Sequence, residues 1–308
     1  MKFNKPKFWN KKNHIFSIIL IPFSYILLIA IFFKKKFTKP IMFNIPIICV
    51  GNIYLGGTGK TPLSLFISKE LKNKNKNPAI VRKFYKDHND EINLINNNEG
   101  NLFVDIERSR AIKNAEELGH DFIILDDGYQ DCSIKKNLNI ICVNQKQNFG
   151  NERILPSGPL REPLDAMKNC NIVMINGNYD QDLENKIKKI SQNIKFFYSK
   201  YQPKFIENFK KNSYLAFAGI GNPENFFDLL SENKIKIKKK IVFPDHYNFT
   251  LKEIIKLKQE ADNLNVDLIT TEKDYFRIKN KGINYIKYLA VKLEILDKDK
   301  FIEEVLKT

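Results

Sequence analysis

The chain has 308 residues, enough for about two domains and a substantial hydrophobic core. Its net charge of +16 fits nucleic acid, an anionic membrane or a phosphorylated substrate as a partner, or simply a composition biased toward surface lysine. No RNP, zinc-finger or KH pattern occurs, so we expect no nucleic-acid partner. Four cysteines without a C-x-x-C pair indicate a reducing compartment and no structural zinc.

The first predicted element is an apolar N-terminal helix. Residues 15–33 contain no charged side chain and are followed by three lysines at 34–36. That length predicts a transmembrane helix or a deeply seated membrane anchor, and Pro22 is expected to kink it. A cleaved signal peptide is disfavoured because no small-residue cleavage site follows. We therefore assign residues 1–40 to a membrane helix with basic flanks.

A strand, a glycine-rich turn and a helix follow over residues 47–67. The apolar, β-branched residues Ile47, Ile48 and Val50 predict a buried strand. The groups expected to bind nucleotide phosphates come next: Gly56, Gly57, Thr58, Gly59, Lys60 and Thr61. In such a P-loop the lysine reaches the β- and γ-phosphates of ATP, and the threonine hydroxyl binds Mg²⁺. The alternative is a plain connecting loop, and Tyr54 stands where the common pattern has its first glycine.

A second strand pattern ends in two carboxylates. Residues 122–127 read FIILDD, an apolar run that presents Asp126 and Asp127 at its carboxyl end. In P-loop enzymes such a strand holds Mg²⁺ beside the phosphate loop. Asp-Asp-Gly also favours a simple turn, but the position downstream of a P-loop favours the metal site.

Strand and helix patterns alternate through the rest of the chain. Apolar runs predict strands at 78–82, 102–104, 139–143, 172–175, 214–218, 241–243 and 267–271. Helical patterns cover 109–118, 224–230 and 250–264, the last opened by a capping box of Thr250 and Glu253. This alternation predicts an α/β fold. We expect a P-loop NTPase-like parallel sheet core over 41–205 and a smaller α/β domain over 206–308, with the site in the cleft between them.

Six ordered motifs resemble those of the tetraacyldisaccharide 4′-kinases of lipid A biosynthesis. They are VGNIYLGGTGKTP (50–62), LDDGYQ (125–130), LPSGPLREP (155–163), AFAGIGNP (216–223), FPDH (243–246) and TTEKD (270–274). The resemblance implies a kinase that uses ATP and Mg²⁺ and phosphorylates the 4′-hydroxyl of an acylated disaccharide 1-phosphate lipid. It also implies attachment to the bacterial inner membrane, with catalytic domains on the cytoplasmic face. We expect a monomer.

The resemblance also implies roles for individual residues. Asp90, in the element NDEI (89–92), is the candidate for the family's catalytic aspartate, and His246 matches the first histidine of its D-H-H element. We hypothesise that Asp90 accepts the proton of the sugar hydroxyl while His246 hydrogen-bonds Asp90. Each has a plain alternative, a loop carboxylate and a surface histidine. Further contacts to substrate or catalytic groups are expected from Glu91, Arg108, Gln130, Arg161 and Glu162.

Two other functions remain open on the residues alone. A membrane-tethered P-loop GTPase or nucleotide switch would want an N-K-x-D element after a strand, and neither 144–147 nor 271–274 fits that pattern. A membrane scaffold that binds ATP only for stability would transfer no phosphate to a lipid.

Overall fold

The computed structural model describes residues 5–85, 92, 94–96 and 101–308. Its chain divides into two compact units. The larger unit contains the described residues of 5–85, 98–200 and 294–308, and the smaller unit consists chiefly of 201–293. The C-terminal residues 294–308 thus cluster with the larger unit, whereas the sequence placed them in a C-terminal domain. Aromatic packing of Phe301 on Phe197 and an ion pair of 3.0 Å between Lys298 and Glu70 explain this placement.

The main sheet has eight strands. Its members are β1 (Ile47–Gly51), β2 (Pro78–Lys83), β3 (Leu102–Asp105), β4 (Phe122–Asp126), β5 (Leu138–Asn144), β6 (Ile172–Asn176), β7 (Lys195–Pro203) and β12 (Val291–Ile295). Their order is β12-β7-β6-β5-β1-β4-β2-β3, and every pair from β7 to β3 is parallel. The predicted α/β class with a mostly parallel sheet is therefore confirmed.

The centre of this sheet sets the position of the site. Strands β1 and β4 are buried along their whole length, as expected for parallel strands covered on both faces. They are neighbours in a register that pairs Val50 with Asp126. Because both strands end at the same edge, the loop after β1 and the carboxylates at the end of β4 lie side by side.

The described helices of the larger unit are α1 (Ile15–Ile19), α2 (Ile21–Phe37), α3 (Lys60–Asn73), α4 (Arg108–Glu117), α5 (Gln181–Lys188) and α9 (Lys298–Leu306). Short 3-10 helices occur at Lys7–Asn10 and Leu164–Asn169. Helix α3 leaves the phosphate loop and buries Leu63, Ile67 and Leu71 against the sheet. That spacing of four residues puts all three side chains on one helix face.

The N-terminal helix predicted over 15–33 is not continuous. The chain forms α1 and then α2, which meet at Leu20, and Pro22 lies in the first turn of α2, where its missing N–H costs no hydrogen bond. Helix α2 has 17 residues, and its last turn carries the three lysines. None of the helices in the described part of the chain has the length and apolarity to cross a bilayer. A single membrane-spanning helix is therefore not supported.

The smaller unit holds a second, four-stranded parallel sheet. Its strands are β8 (Ser213–Ala218), β9 (Lys236–Val242), β10 (Asp267–Thr271) and β11 (Ile286–Leu289), in the order β11-β10-β8-β9. Helices α6 (Pro223–Glu232), α7 (Leu251–Asn263) and α8 (Glu272–Ile278) accompany them, with short 3-10 helices at Ile206–Phe209 and Lys279–Lys281. The predicted capping box is confirmed, because the Thr250 side chain accepts from the Glu253 N–H and Glu253 reaches back to Thr250.

Candidate active site

The phosphate loop joins β1 to α3. Gly56 and Gly59 have φ angles of 123° and 96°, a region that favours glycine, and Gly59 caps the N-terminus of α3. Asn52 braces the loop by donating to the Gly56 carbonyl (3.2 Å) and the Thr58 hydroxyl (2.9 Å). Because the free N–H groups at the start of α3 face this turn, it can bind an anion such as a phosphate.

Tyr54 replaces the first P-loop glycine for a structural reason. Its side chain is buried, and its backbone forms a β-bridge with Leu160. Two more backbone hydrogen bonds join the same segments, from Leu55 N–H to the Pro159 carbonyl (2.8 Å) and from Arg161 N–H to the Ile53 carbonyl (2.7 Å). The start of the phosphate loop is therefore held by the loop that contains Arg161.

Asp126 lies at the centre of a buried polar cluster. Its carboxylate accepts hydrogen bonds from the hydroxyls of Thr61 (3.0 Å) and Ser64 (3.1 Å) and forms an ion pair with Arg82. Asp126 is fully buried and Arg82 is 3% exposed. A hydroxyl and a carboxylate side by side are hard oxygen donors, and Mg²⁺ is usually bound by one or two carboxylates together with substrate phosphates. Of the predicted metal ligands, Thr61 and Asp126 thus fit Mg²⁺, whereas the Asp127 carboxylate is paired with Arg161 and Lys60.

Asp127 follows β4 with a φ of 56° and turns its carboxylate toward two cations. Arg161 Nη1 lies 2.9 Å and 3.1 Å from its two oxygens, and Lys60 Nζ lies 3.6 Å from Oδ1. Burial alone would raise the pKa of Asp127, but the charges of Lys60, Arg161 and Arg82 outweigh it and hold that pKa well below the usual range. Burial lowers the pKa of Lys60, and the Asp127 charge opposes that shift.

Arg108 and Gln130 fix the turn that follows β4. Arg108 donates to the Asp127 carbonyl (2.8 Å) and to the Asp131 carboxylate (2.9 Å). Both acceptors are groups of the protein itself. Gln130 donates to the Asn52 carbonyl (2.7 Å) and so links this turn to the phosphate loop, and Arg161 approaches its Oε1 at 3.4 Å.

Glu162, in contrast, is paired with a lysine of α2. It is 3% exposed and forms an ion pair of 3.1 Å with Lys35 of α2.

The larger unit thus brings together most of the predicted groups at one edge of the sheet. These are Gly56, Gly57, Thr58, Gly59, Lys60, Thr61, Arg108, Asp126, Asp127, Gln130 and Arg161.

His246 belongs to the smaller unit. Its φ is 54°, and its Nδ1 lies 3.3 Å from Nη2 of Arg277. Arg277 is itself held by the Gly219 carbonyl (2.7 Å) and the buried Asp274 carboxylate (2.6 Å). Asp274 also accepts from the Gly219 N–H and the Thr271 hydroxyl, so two of the resembling motifs form one network behind His246.

Asp90 and Glu91 lie outside the described residues. The Asp90–His246 hydrogen bond and the cleft between the two domains therefore remain predictions.

Three polar contacts of the site were missed by the sequence reading. Ser64 follows Thr61 by three residues, a spacing that puts both hydroxyls on one helix face and offers a readable signal. Arg82 is the penultimate residue of β2, which neighbours β4, but the order of strands in a sheet is not encoded locally. Asn52 reads as an ordinary turn residue.

Known proteins of one family are similar to this chain. A family model described as LpxK, tetraacyldisaccharide-1-P 4′-kinase, matches residues 16–308. A tetraacyldisaccharide 4′-kinase of Pelagibacter ubique (strain HTCC1062) is 41% identical over 313 residues, covering 100% of this chain and 98% of the relative. Another, of Rickettsia bellii (strain OSU 85-389), is 32% identical over 321 residues, covering 98% of each.

A solved structure is also similar. The crystal structure of LpxK from Aquifex aeolicus in complex with ATP superposes with a TM-score of 0.71 and 25% sequence identity, over 94% of this chain and 98% of that one.

Proposed function

The chain belongs to the tetraacyldisaccharide 4′-kinase family, and we propose that it transfers the γ-phosphoryl group of ATP to the 4′-hydroxyl of a tetraacyldisaccharide 1-phosphate. The observation that carries the proposal is the meeting of Lys60, Thr61, Asp126 and Asp127 at the carboxyl ends of β1 and β4. The family match favours this kinase over the GTPase and scaffold alternatives.

The proposed chemistry assigns separate tasks to the groups at this edge. The N-terminus of α3 and Lys60 bind the β- and γ-phosphates. Thr61 and Asp126 supply the oxygen donors for Mg²⁺, which neutralises the negative charge that develops during phosphoryl transfer. Arg82 and Ser64 fix the Asp126 carboxylate, while Arg161 and Lys60 keep Asp127 ionised.

The acceptor side of the reaction is assigned to Asp90 and His246. Asp90 accepts the proton of the sugar hydroxyl, and His246 orients Asp90. Support comes from the network behind His246, in which Arg277 is anchored on buried Asp274 and directs a guanidinium N–H at the imidazole. An imidazole held on one side in this way presents its other nitrogen in a defined direction.

The proposed location is the cytoplasmic face of the inner membrane, where a monomer meets ATP and an acylated substrate. Support comes from α1 and α2, whose outer face is apolar. Eleven large side chains there are 45–73% exposed: Ile15, Phe16, Ile18, Ile19, Phe23, Tyr25, Ile26, Ile29, Phe32, Phe33 and Phe37. A contiguous apolar face bordered by lysines is typical of helices that lie in a membrane interface.

The function is tested by phosphate transfer. The purified full chain is incubated with [γ-³²P]ATP, Mg²⁺ and a tetraacyldisaccharide 1-phosphate in detergent micelles, and the lipid is extracted and counted. Wild type should label the lipid, Lys60→Ala should not, and Lys74→Ala, beyond the end of α3, should behave as wild type. Absence of labelled lipid with wild type would overturn the proposal.

A further inference from the structure

The two N-terminal helices bury serine side chains, which a simple membrane anchor would have no reason to bury. We call α1 and α2 the helical pair. Most of its large apolar residues are exposed and only a few, such as Leu27 and Leu28, pack against the core, while Ser17 and Ser24 are 0% and 7% exposed. Burying a hydroxyl is unfavourable unless it finds hydrogen-bond partners. These serines therefore have a specific partner inside the protein.

That partner is the loop over residues 151–163, which we call the arginine loop because it carries Arg161. Ser17 Oγ donates to the Ser157 carbonyl (2.6 Å), and Ser157 Oγ donates back to the Ser17 carbonyl (2.6 Å). Ser24 Oγ donates to the Ile154 carbonyl (2.8 Å) and accepts from the Ser157 N–H (3.2 Å). Asn151 donates to Ser17 Oγ (2.8 Å).

The segment before the helical pair also contacts the loop. Trp9, buried just before α1, donates its indole N–H to the Pro156 carbonyl (3.0 Å), and its own carbonyl accepts from the Asn151 N–H (2.7 Å). Within the loop itself, a Cβ at Gly158 would lie 2.1 Å from Asn151 Oδ1 and 2.4 Å from the Arg153 carbonyl, so only glycine fits where the loop folds back on itself. The loop is thus folded against the helical pair rather than free.

The other end of the arginine loop reaches the catalytic groups. Its backbone is hydrogen-bonded to residues 53–55 of the phosphate loop, and Arg161 contacts the Asp127 carboxylate. The helical pair touches this end as well. Lys35 forms its ion pair with Glu162, the residue next to Arg161, and Lys34 Nζ lies 3.4 Å from the Gln130 carbonyl.

We propose that the helical pair is a positioning element of the kinase site: Ser17, Ser24 and Lys35 hold the arginine loop so that Arg161 stays on Asp127. One face of the pair contacts the lipid phase, and the opposite face sets the geometry of the phosphoryl-transfer site. The inference rests on the kinase function proposed above and adds residues that act on the site through the arginine loop.

The test separates positioning from anchoring. Ser24→Ala removes two hydrogen bonds to the loop without adding volume, and Ser24→Thr keeps the hydroxyl. The matched control is Ser68→Ala, because Ser68 is buried in α3 and its hydroxyl has no hydrogen-bond partner in the described part of the chain. Each variant is assayed in detergent micelles, where membrane docking is not limiting, for kcat and for the KM of ATP and of lipid.

We expect Ser24→Ala to lower kcat about tenfold or more with little change in either KM, since small misplacements of a catalytic group cost rate rather than binding. Ser24→Thr should restore most of the rate, and Ser68→Ala should keep it. On an Arg161→Ala background the Ser24→Ala substitution should have no further effect, because both act through one group. Additive losses, or an unchanged kcat, would overturn the inference.

A second variant avoids the protein interior. The Lys35 side chain is 40% exposed, so Lys35→Met removes the ion pair with Glu162 without creating a cavity, and a thermal melt measures what the buried Glu162 carboxylate costs in stability once its cation is gone. We expect a lower kcat, rescue by Lys35→Arg, and unchanged binding to phosphatidylethanolamine–phosphatidylglycerol vesicles. A loss of vesicle binding with normal kcat in micelles would instead assign Lys35 to anchoring. If the wild-type protein labels no lipid, the kinase function itself is refuted. If the wild-type protein is active and the variants have the same kcat, only the positioning role is refuted.

Discussion

Arg161 places one guanidinium nitrogen within 3.1 Å of both carboxylate oxygens of Asp127, although the two residues come from segments that are not adjacent in the chain. Lys60 approaches the same carboxylate at 3.6 Å. Two cations on one partly buried carboxylate form a cluster of alternating charge, and each member depends on the others for its orientation and protonation state.

Replacing Arg161 should therefore change both rate and pH dependence. We expect Arg161→Ala to lower kcat about 100-fold, as is typical when a preorganised electrostatic group is lost. The Arg161 charge lowers the pKa of Asp127, so this pKa should rise in the variant. As the pH is lowered, the variant should therefore lose activity at a higher pH than wild type does. A pH–rate series measures both effects, and Arg110→Ala, on the exposed surface of α4, should change neither.

The buried pair of Asp126 and Arg82 predicts a split between stability and activity. Asp126→Asn removes the carboxylate charge from the buried ion pair with Arg82, which should cost about 3–5 kcal/mol of unfolding free energy and abolish phosphate transfer. The double variant Asp126→Leu with Arg82→Met should recover much of the stability and none of the activity. Urea denaturation and the lipid assay measure the two quantities.

The matched control for that pair is Asp165→Asn, since Asp165 is exposed and should change stability by less than about 0.5 kcal/mol. A double variant as unstable as the single one would contradict the account of a mutually dependent buried pair.

Arg277 should determine the tautomer of His246. Because an arginine can only donate, the contact to Nδ1 makes that nitrogen the acceptor and leaves the proton on Nε2. Nitrogen NMR of histidine-labelled protein should show an Nε2–H imidazole in wild type and a mixture of tautomers in Arg277→Met. A wild-type protein with its proton on Nδ1 would show that the two side chains do not interact in this way.

Asp90 is expected to affect turnover far more than nucleotide binding. Asp90→Ala should lower kcat by orders of magnitude with a modest change in the KM of ATP, because a proton acceptor acts on the sugar hydroxyl and not on the triphosphate. Asp87→Ala, a neighbouring carboxylate in the same stretch of sequence, provides the comparison. Near-normal turnover of Asp90→Ala would remove Asp90 from the mechanism.

The apolar face of the helical pair should bind membranes. The variant Phe16→Glu with Ile26→Glu places two charges on that face and should reduce co-flotation with phosphatidylethanolamine–phosphatidylglycerol vesicles about tenfold or more. Ile106→Glu alters an equally exposed apolar residue elsewhere on the larger unit and should float like wild type. Equal flotation of all three proteins would exclude this face as the membrane contact.

Local signals predicted the centre of the molecule well. The strand, glycine turn and helix around Lys60, and the apolar strand ending in Asp126, are short patterns whose geometry follows from neighbouring residues. The capping box at Thr250 is of the same kind. Parallel strands end at a common edge, so the meeting of the phosphate loop with the carboxylates also followed from general rules.

Features that depend on contacts between residues far apart in the chain could not be predicted from the sequence. Hydropathy alone favoured one helix over 15–33, because a scale of residue type does not record that Ser17 and Ser24 have hydrogen-bond partners more than a hundred residues away. Arg82 looked like the polar end of a strand until strand order put it beside Asp126. The C-terminal helix looked like part of the smaller domain because nothing local reveals the contact of Phe301 with Phe197.

One outer strand of the small sheet is rich in lysine. Strand β9 is outermost, and Lys236, Lys238, Lys239 and Lys240 lie along it with mostly exposed side chains. A foreign strand that tried to extend this sheet would have to lay its backbone beside a row of ammonium groups and strip them of water. We therefore expect part of the chain's positive charge to oppose edge-to-edge association of this sheet, independently of any anionic ligand.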